Sequence, residues 1–80
     1  MGTMSTARSG RTCRLWSSGS IIPAARIDAN FPDGGVAAAK NYCRNPDNDL
    51  LGLWCHTMFT FTWEYCDVPL CSGKFSYLDV

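Results

Sequence analysis

Apolar and polar positions in this chain hold no period for long. Between positions 19 and 27, Ile21, Ile22, Ala24, Ala25 and Ile27 follow neither helical spacing nor strand alternation. Residues 36–40 suffice for one helical turn, too short to stand alone. Asn30-Phe31-Pro32-Asp33-Gly34-Gly35 is turn chemistry, because proline fixes φ and glycine supplies positive φ. A second turn is expected around Pro46-Asp47. Two short runs, 53–57 and 59–66, are rich in aromatic and β-branched residues and predict strands. Residues 3–11 are small, polar and basic and read as surface loop, whereas Leu15 and Trp16 beside Cys13 read as a buried corner. The expected fold is one small, disulfide-rich, mainly irregular and β domain with a short antiparallel sheet.

Composition strengthens that picture. A core drawn from 80 residues is marginal by itself, and chains of this size add disulfides, a metal or a partner. The five cysteines, Cys13, Cys43, Cys55, Cys66 and Cys71, point to an oxidising, extracellular setting, and their odd number leaves one without a partner in the chain. Seven basic and seven acidic residues give zero net charge, with no basic stripe for nucleic acid. No apolar run approaches the ~20 residues that span a bilayer, so membrane insertion is not expected. The start, Met1-Gly2-Thr3-Met4-Ser5, is no signal peptide, which reads as an excised or recombinant module of secreted type.

Further along, Asn41-Tyr42-Cys43-Arg44-Asn45-Pro46-Asp47, Trp54-Cys55 and Trp63-Glu64-Tyr65-Cys66-Asp67-Val68-Pro69-Leu70-Cys71 appear in that order. Thr12-Cys13, Trp16 and Asn30-Phe31-Pro32 precede them. This set resembles the kringle family, in particular kringles of the plasminogen and plasminogen-activator type. The resemblance implies a kringle over residues 1–71 that lacks the family's first cysteine, followed by a tail or tag remnant at 72–80. It implies pairing of Cys13 with Cys55 and of Cys43 with Cys66. Cys71 is then a free thiol or the site of a bridge to a second molecule.

The resemblance also implies a candidate site. Many kringles hold a lysine side chain between paired carboxylates, aromatic walls and a cation. Asp47 and Asp49 match the carboxylates, Trp54 and Trp63 the walls, and Arg26 the cation. His56 stands where Phe or Tyr is usual and Thr62 where arginine is common, so half the cradle is altered. Meanwhile the loops have turned apolar, with Ile21, Ile22 and Ile27, then Leu50, Leu51 and Leu53, then Met58, Phe59 and Phe61. A retained framework with new apolar loops reads as an engineered scaffold whose loops 19–29, 33–40, 49–53 and 57–62, with Arg26, bind a chosen protein. The target class such scaffolds imply is cell-surface receptors, including death receptors of the tumour necrosis factor receptor family. The opposing expectation is that Ile21, Leu50, Leu53, Phe59 and Phe61 fold inward as extra core. The alternative function is a natural lysine-binding kringle acting in fibrinolysis.

Catalysis and metal binding are not expected. A hydrolytic triad needs a nucleophile beside a base oriented by an acid, and the sole histidine, His56, follows a cysteine assigned to a disulfide. Zinc sites favour close Cys or His pairs, whereas Cys66 and Cys71 are separated by four residues and the others scatter. No cofactor motif is present.

Overall fold

The computed structural model describes residues 2–67. Cys71 and the tail at 72–80 lie outside the described residues. Regular structure is sparse: three 3-10 turns at Trp16–Ser18, Pro23–Arg26 and Asp28–Asn30, then β1 at Trp54–His56 and β2 at Trp63–Tyr65. The strands pair antiparallel with Trp54 opposite Tyr65, Cys55 opposite Glu64 and His56 opposite Trp63.

Local chemistry explains each irregular element. Pro23 opens its 3-10 turn, where a missing N–H costs nothing and the fixed φ suits the start. Residues 31–34 form a turn closed by the Gly34 amide on the Phe31 carbonyl at 3.2 Å, with Pro32 at the second position. The Asn45 side chain brackets the next turn, accepting from the Asp49 amide at 2.6 Å and donating to the Asp49 carbonyl at 2.8 Å. Residues 36–40 make one loose turn, in which the Ala39 amide reaches the Gly35 carbonyl at 3.1 Å.

The expected second strand needs correction at its start. Residues 59–62 are not strand but turn: the Phe59 amide donates to Thr62 Oγ1 at 2.9 Å and the Thr62 amide to the Phe59 carbonyl at 3.2 Å. A side-chain hydroxyl offering the backbone a local partner competes with the sheet ladder here. Residues 3–11 are mostly exposed, as expected of a surface loop, but they are tied to the rest of the chain at several points. Thr6 pairs with Thr12, the Cys43 amide donates to the Met4 carbonyl, and the Arg8 amide donates to the Tyr65 carbonyl at the outer edge of β2. Ala7 at the centre of this segment is buried.

The core is built around sulfur and indole. Disulfides join Cys13 to Cys55 and Cys43 to Cys66, and Cys13 Sγ lies 3.9 Å from Cys43 Sγ, so the two bridges touch. Their partners are 42 and 23 residues apart. Loops of those lengths contribute ~4 and ~3.5 kcal/mol through the entropy of the unfolded chain. Trp16 packs edge-on against Phe31, Trp54 and His56 with centroids 5.2, 5.1 and 5.8 Å away, and its indole N–H donates to the Tyr42 carbonyl at 2.7 Å. Leu15, expected in the same corner, is exposed instead. Tyr65 packs on the core, while Tyr42 lies half-buried beneath the Arg44 guanidinium.

Candidate functional site

Most of the polar groups of the expected lysine cradle are already hydrogen-bonded within the chain. Trp54 is 2% exposed, and its indole N–H donates to Asp47 Oδ1 at 2.9 Å. Asp49 accepts the Tyr65 hydroxyl at 2.8 Å on one oxygen and the Leu51 amide at 2.9 Å on the other. That hydrogen bond, with some burial and the nearby carboxylate charges, raises the Tyr65 phenol above its ordinary pKa. Arg26 donates to the carbonyls of Ser20 at 2.9 Å and Ile21 at 3.4 Å, so its charge supports its own turn. Trp63 alone among the expected walls keeps an open face, 44% exposed, edge-on to Trp54 and Tyr65.

His56 departs furthest from expectation. In place of an open aromatic wall it is a core residue, 2% exposed, with both nitrogens engaged. Nε2 lies 2.6 Å from Ser20 Oγ, and Nδ1 lies 2.5 Å from the Thr62 carbonyl oxygen. A serine beside a histidine invites a hydrolytic reading, which the surroundings refuse. Ser20 is buried, and the group at Nδ1 is a neutral carbonyl where a triad needs a carboxylate. Nothing in the local sequence signals this pair, since its members are 36 residues apart.

The apolar loops divide into outward and inward residues. Ile21, Ile27, Leu50, Leu51, Met58, Phe59 and Phe61 are all at least half exposed, Leu50 almost completely so. Ile22 and Leu53, expected on the same surface, instead pack against the core, as do Val36 and Ala39 of the 33–40 loop. The inward-folding alternative therefore holds for Leu53 and fails for Ile21, Leu50, Phe59 and Phe61. Phe59 and Phe61 stack with centroids 5.1 Å apart and planes 3° from parallel. The Ile21 amide donates to the Thr60 carbonyl at 3.0 Å, which joins the 19–22 loop to this turn. Arg14 Nη1 donates to the Met58 carbonyl at 3.2 Å and anchors the same turn from beneath. Leu50 and Leu51 stand on a separate turn held by Asn45 and Asp49.

Two further features escaped sequence reasoning. A shallow groove of about 480 Å³ runs beside Trp63 and Tyr65, flanked by Arg8, Ser9 and Glu64. Hydrogen bonds from the Ser9 and Thr57 hydroxyls, with Arg11 nearby, hold the Glu64 carboxyl below its usual pKa. The cysteines scattered in sequence also converge, with the sulfurs of Cys13, Cys43, Cys55 and Cys66 all within 4.8 Å of one another. Such a cluster would suit zinc as thiolates. Here both pairs are bonded as disulfides, which leaves no thiolate to donate.

Comparison with known proteins agrees with this architecture. The family model for the kringle domain matches residues 1–71. Tissue-type plasminogen activator from Pongo abelii is 45% identical over 74 residues, covering 89% of this chain. The protein of the same name from Homo sapiens is 43% identical over 74 residues with the same coverage. This chain spans 13% of the length of each of these relatives.

Proposed function

The chain belongs to the kringle family, and from that premise we propose that it acts outside the cell as a binding module whose apolar loops grip a partner protein. A kringle is a non-catalytic protein-binding module, and this one is similar to that of tissue-type plasminogen activator. The observation that carries the proposal is the set of large apolar side chains left outside a core already filled by indoles and disulfides. Apolar patches of this kind mark interaction sites. Stacked Phe59 and Phe61 supply a rigid aromatic anchor, the residue type that dominates binding energy at interfaces.

A retained framework under apolar loops supports the further reading of an engineered scaffold directed at a chosen protein. Ectodomains of cell-surface receptors, the tumour necrosis factor receptor family among them, form the first panel to screen. Inherited lysine recognition is the second reading, favoured by the exposed face of Trp63 beside Tyr65, whose hydroxyl holds Asp49. Surface plasmon resonance against a partner found in that panel separates the two. Replacing Phe59 and Phe61 by Ser is expected to weaken binding about thirtyfold, ~2 kcal/mol for a central aromatic anchor. Replacing Asp47 and Asp49 by Asn is expected to change it less than twofold. The reverse result would sink the loop reading in favour of the lysine cradle.

A further inference from the structure

His56 joins two of the apolar loops. The Thr62 carbonyl can only accept, so Nδ1 carries the ring proton and neutral His56 accepts at Nε2 from the Ser20 hydroxyl. Ser20 Oγ in turn accepts from the Ile22 amide at 3.0 Å. A line of hydrogen bonds thus runs from the 19–22 loop through the imidazole to the base of the turn that carries Phe59 and Phe61. It lies alongside the backbone bond from Ile21 to Thr60.

We propose that this line is an acid-labile clamp: a proton taken from solvent onto Nε2 turns that atom into a donor facing Ser20, and the two apolar loops come apart. The neutral arrangement leaves each group satisfied. In the charged form the Ser20 hydroxyl hydrogen must turn away from the ring inside a buried site and loses the imidazole as its acceptor. The charged groups around the ring do not offset this cost. Arg14, whose backbone amide donates to the His56 carbonyl, is a second positive charge, and its Nε is buried without a partner among the described residues. Glu64 on β2 binds Thr57 and Arg11, and is one residue out of phase with Trp63, the partner of His56. Asp47 is bonded to the Trp54 indole, and Arg26 to the carbonyls of Ser20 and Ile21.

Burial, with a lesser contribution from Arg14 and against the pull of the Thr62 carbonyl, holds the imidazole below its ordinary value of 6.5. The opened form therefore takes the proton first. The closed clamp is fully favoured above about 6.5, and it loses ground as pH falls from there through the lower value of the closed state.

The consequence for binding, release of the partner in acid, rests on the loop reading above; the clamp itself is read without any partner. The test is an NMR titration of the oxidised 80-residue chain from pH 7.5 to 5, following the His56 ring and the amides of Ile21, Thr60 and Phe61. The expected result is one shared midpoint below 6.5 for ring and loop signals. In Ser20→Ala, which removes both the donor to neutral Nε2 and the link to the 19–22 loop, the ring midpoint is expected to rise and the Ile21 amide to stop following it. In His56→Phe the loop signals are expected to stay flat. A ring that titrates while the loops hold still, or loops that move equally in His56→Phe, would overturn the clamp. Ser20→Ala removes a single hydroxyl and carries the test should His56→Phe lose the native fold.

Discussion

At the scale of single residues, Asp33 and Arg44 form a buried ion pair with a clear structural consequence. Both side chains are buried, and the guanidinium meets the carboxylate through two hydrogen bonds of 2.8 and 2.7 Å. Arg44 also donates to the Cys43 carbonyl at 2.7 Å and lies over the Tyr42 ring, tying the 33–40 loop to the disulfide core. Removing one partner strands the other, at a cost of ~3 kcal/mol. Arg44→Ala is therefore expected to lower Tm on the order of 15 °C, measured by calorimetry. The Arg44 hydrogen bond holds the Asp33 carboxyl below its ordinary 3.8. Its stabilising effect is thus present above that value and is lost as pH falls below it toward the folded-state pKa. Urea midpoints at pH 6 and pH 3 should fall further in the native chain than in Asp33→Asn; equal falls would contradict this assignment.

At the level of elements, the turns decide which apolar side chains face water. Gly19 ends the Trp16–Ser18 turn at φ 109°, a conformation that side-chain-bearing residues rarely adopt. A Cβ there would sit 3.6 Å from Thr60 Cγ2, in ordinary contact, so backbone strain is the main cost of Gly19→Ala. That variant is expected to lose ~1 kcal/mol in a denaturant melt, and an unchanged midpoint would contradict the strain. The turns at 31–34 and 45–49 were legible because Pro32, Gly34, Asn45 and Pro46 carry their turn chemistry in their own covalent structure. The extent of β2 was not. Phe59, Thr60 and Phe61 have strand propensity, yet the Thr62 hydroxyl captures the Phe59 amide and closes a turn. Likewise, nothing within residues 3–11 announces that Met4 and Arg8 pair with Cys43 and Tyr65, because those contacts are remote in sequence.

Taken as a whole, the molecule is a disulfide and indole core with an irregular coat. Resemblance carried the order of the framework residues and the expected cysteine partners, and it pointed to Asp47, Asp49, Trp54, His56, Trp63 and Arg26 as one candidate site, without Tyr65. It did not carry the direction of individual loop side chains, since Ile22 and Leu53 turn inward while Ile21 and Leu50 turn outward under similar local sequence. Nor did it reveal that the carboxylates are bonded to Trp54 and Tyr65, or that His56 is buried. These details favour loops over cradle as the working surface. The most direct test is a titration of the oxidised chain with 6-aminohexanoic acid, a lysine analogue, followed by NMR at the indole signals of Trp54 and Trp63. No saturable shift at either indole, in a chain shown by its spectrum to be folded, is the predicted result. Saturable shifts at both would contradict it and return the binding surface to Asp47, Asp49 and the two tryptophans.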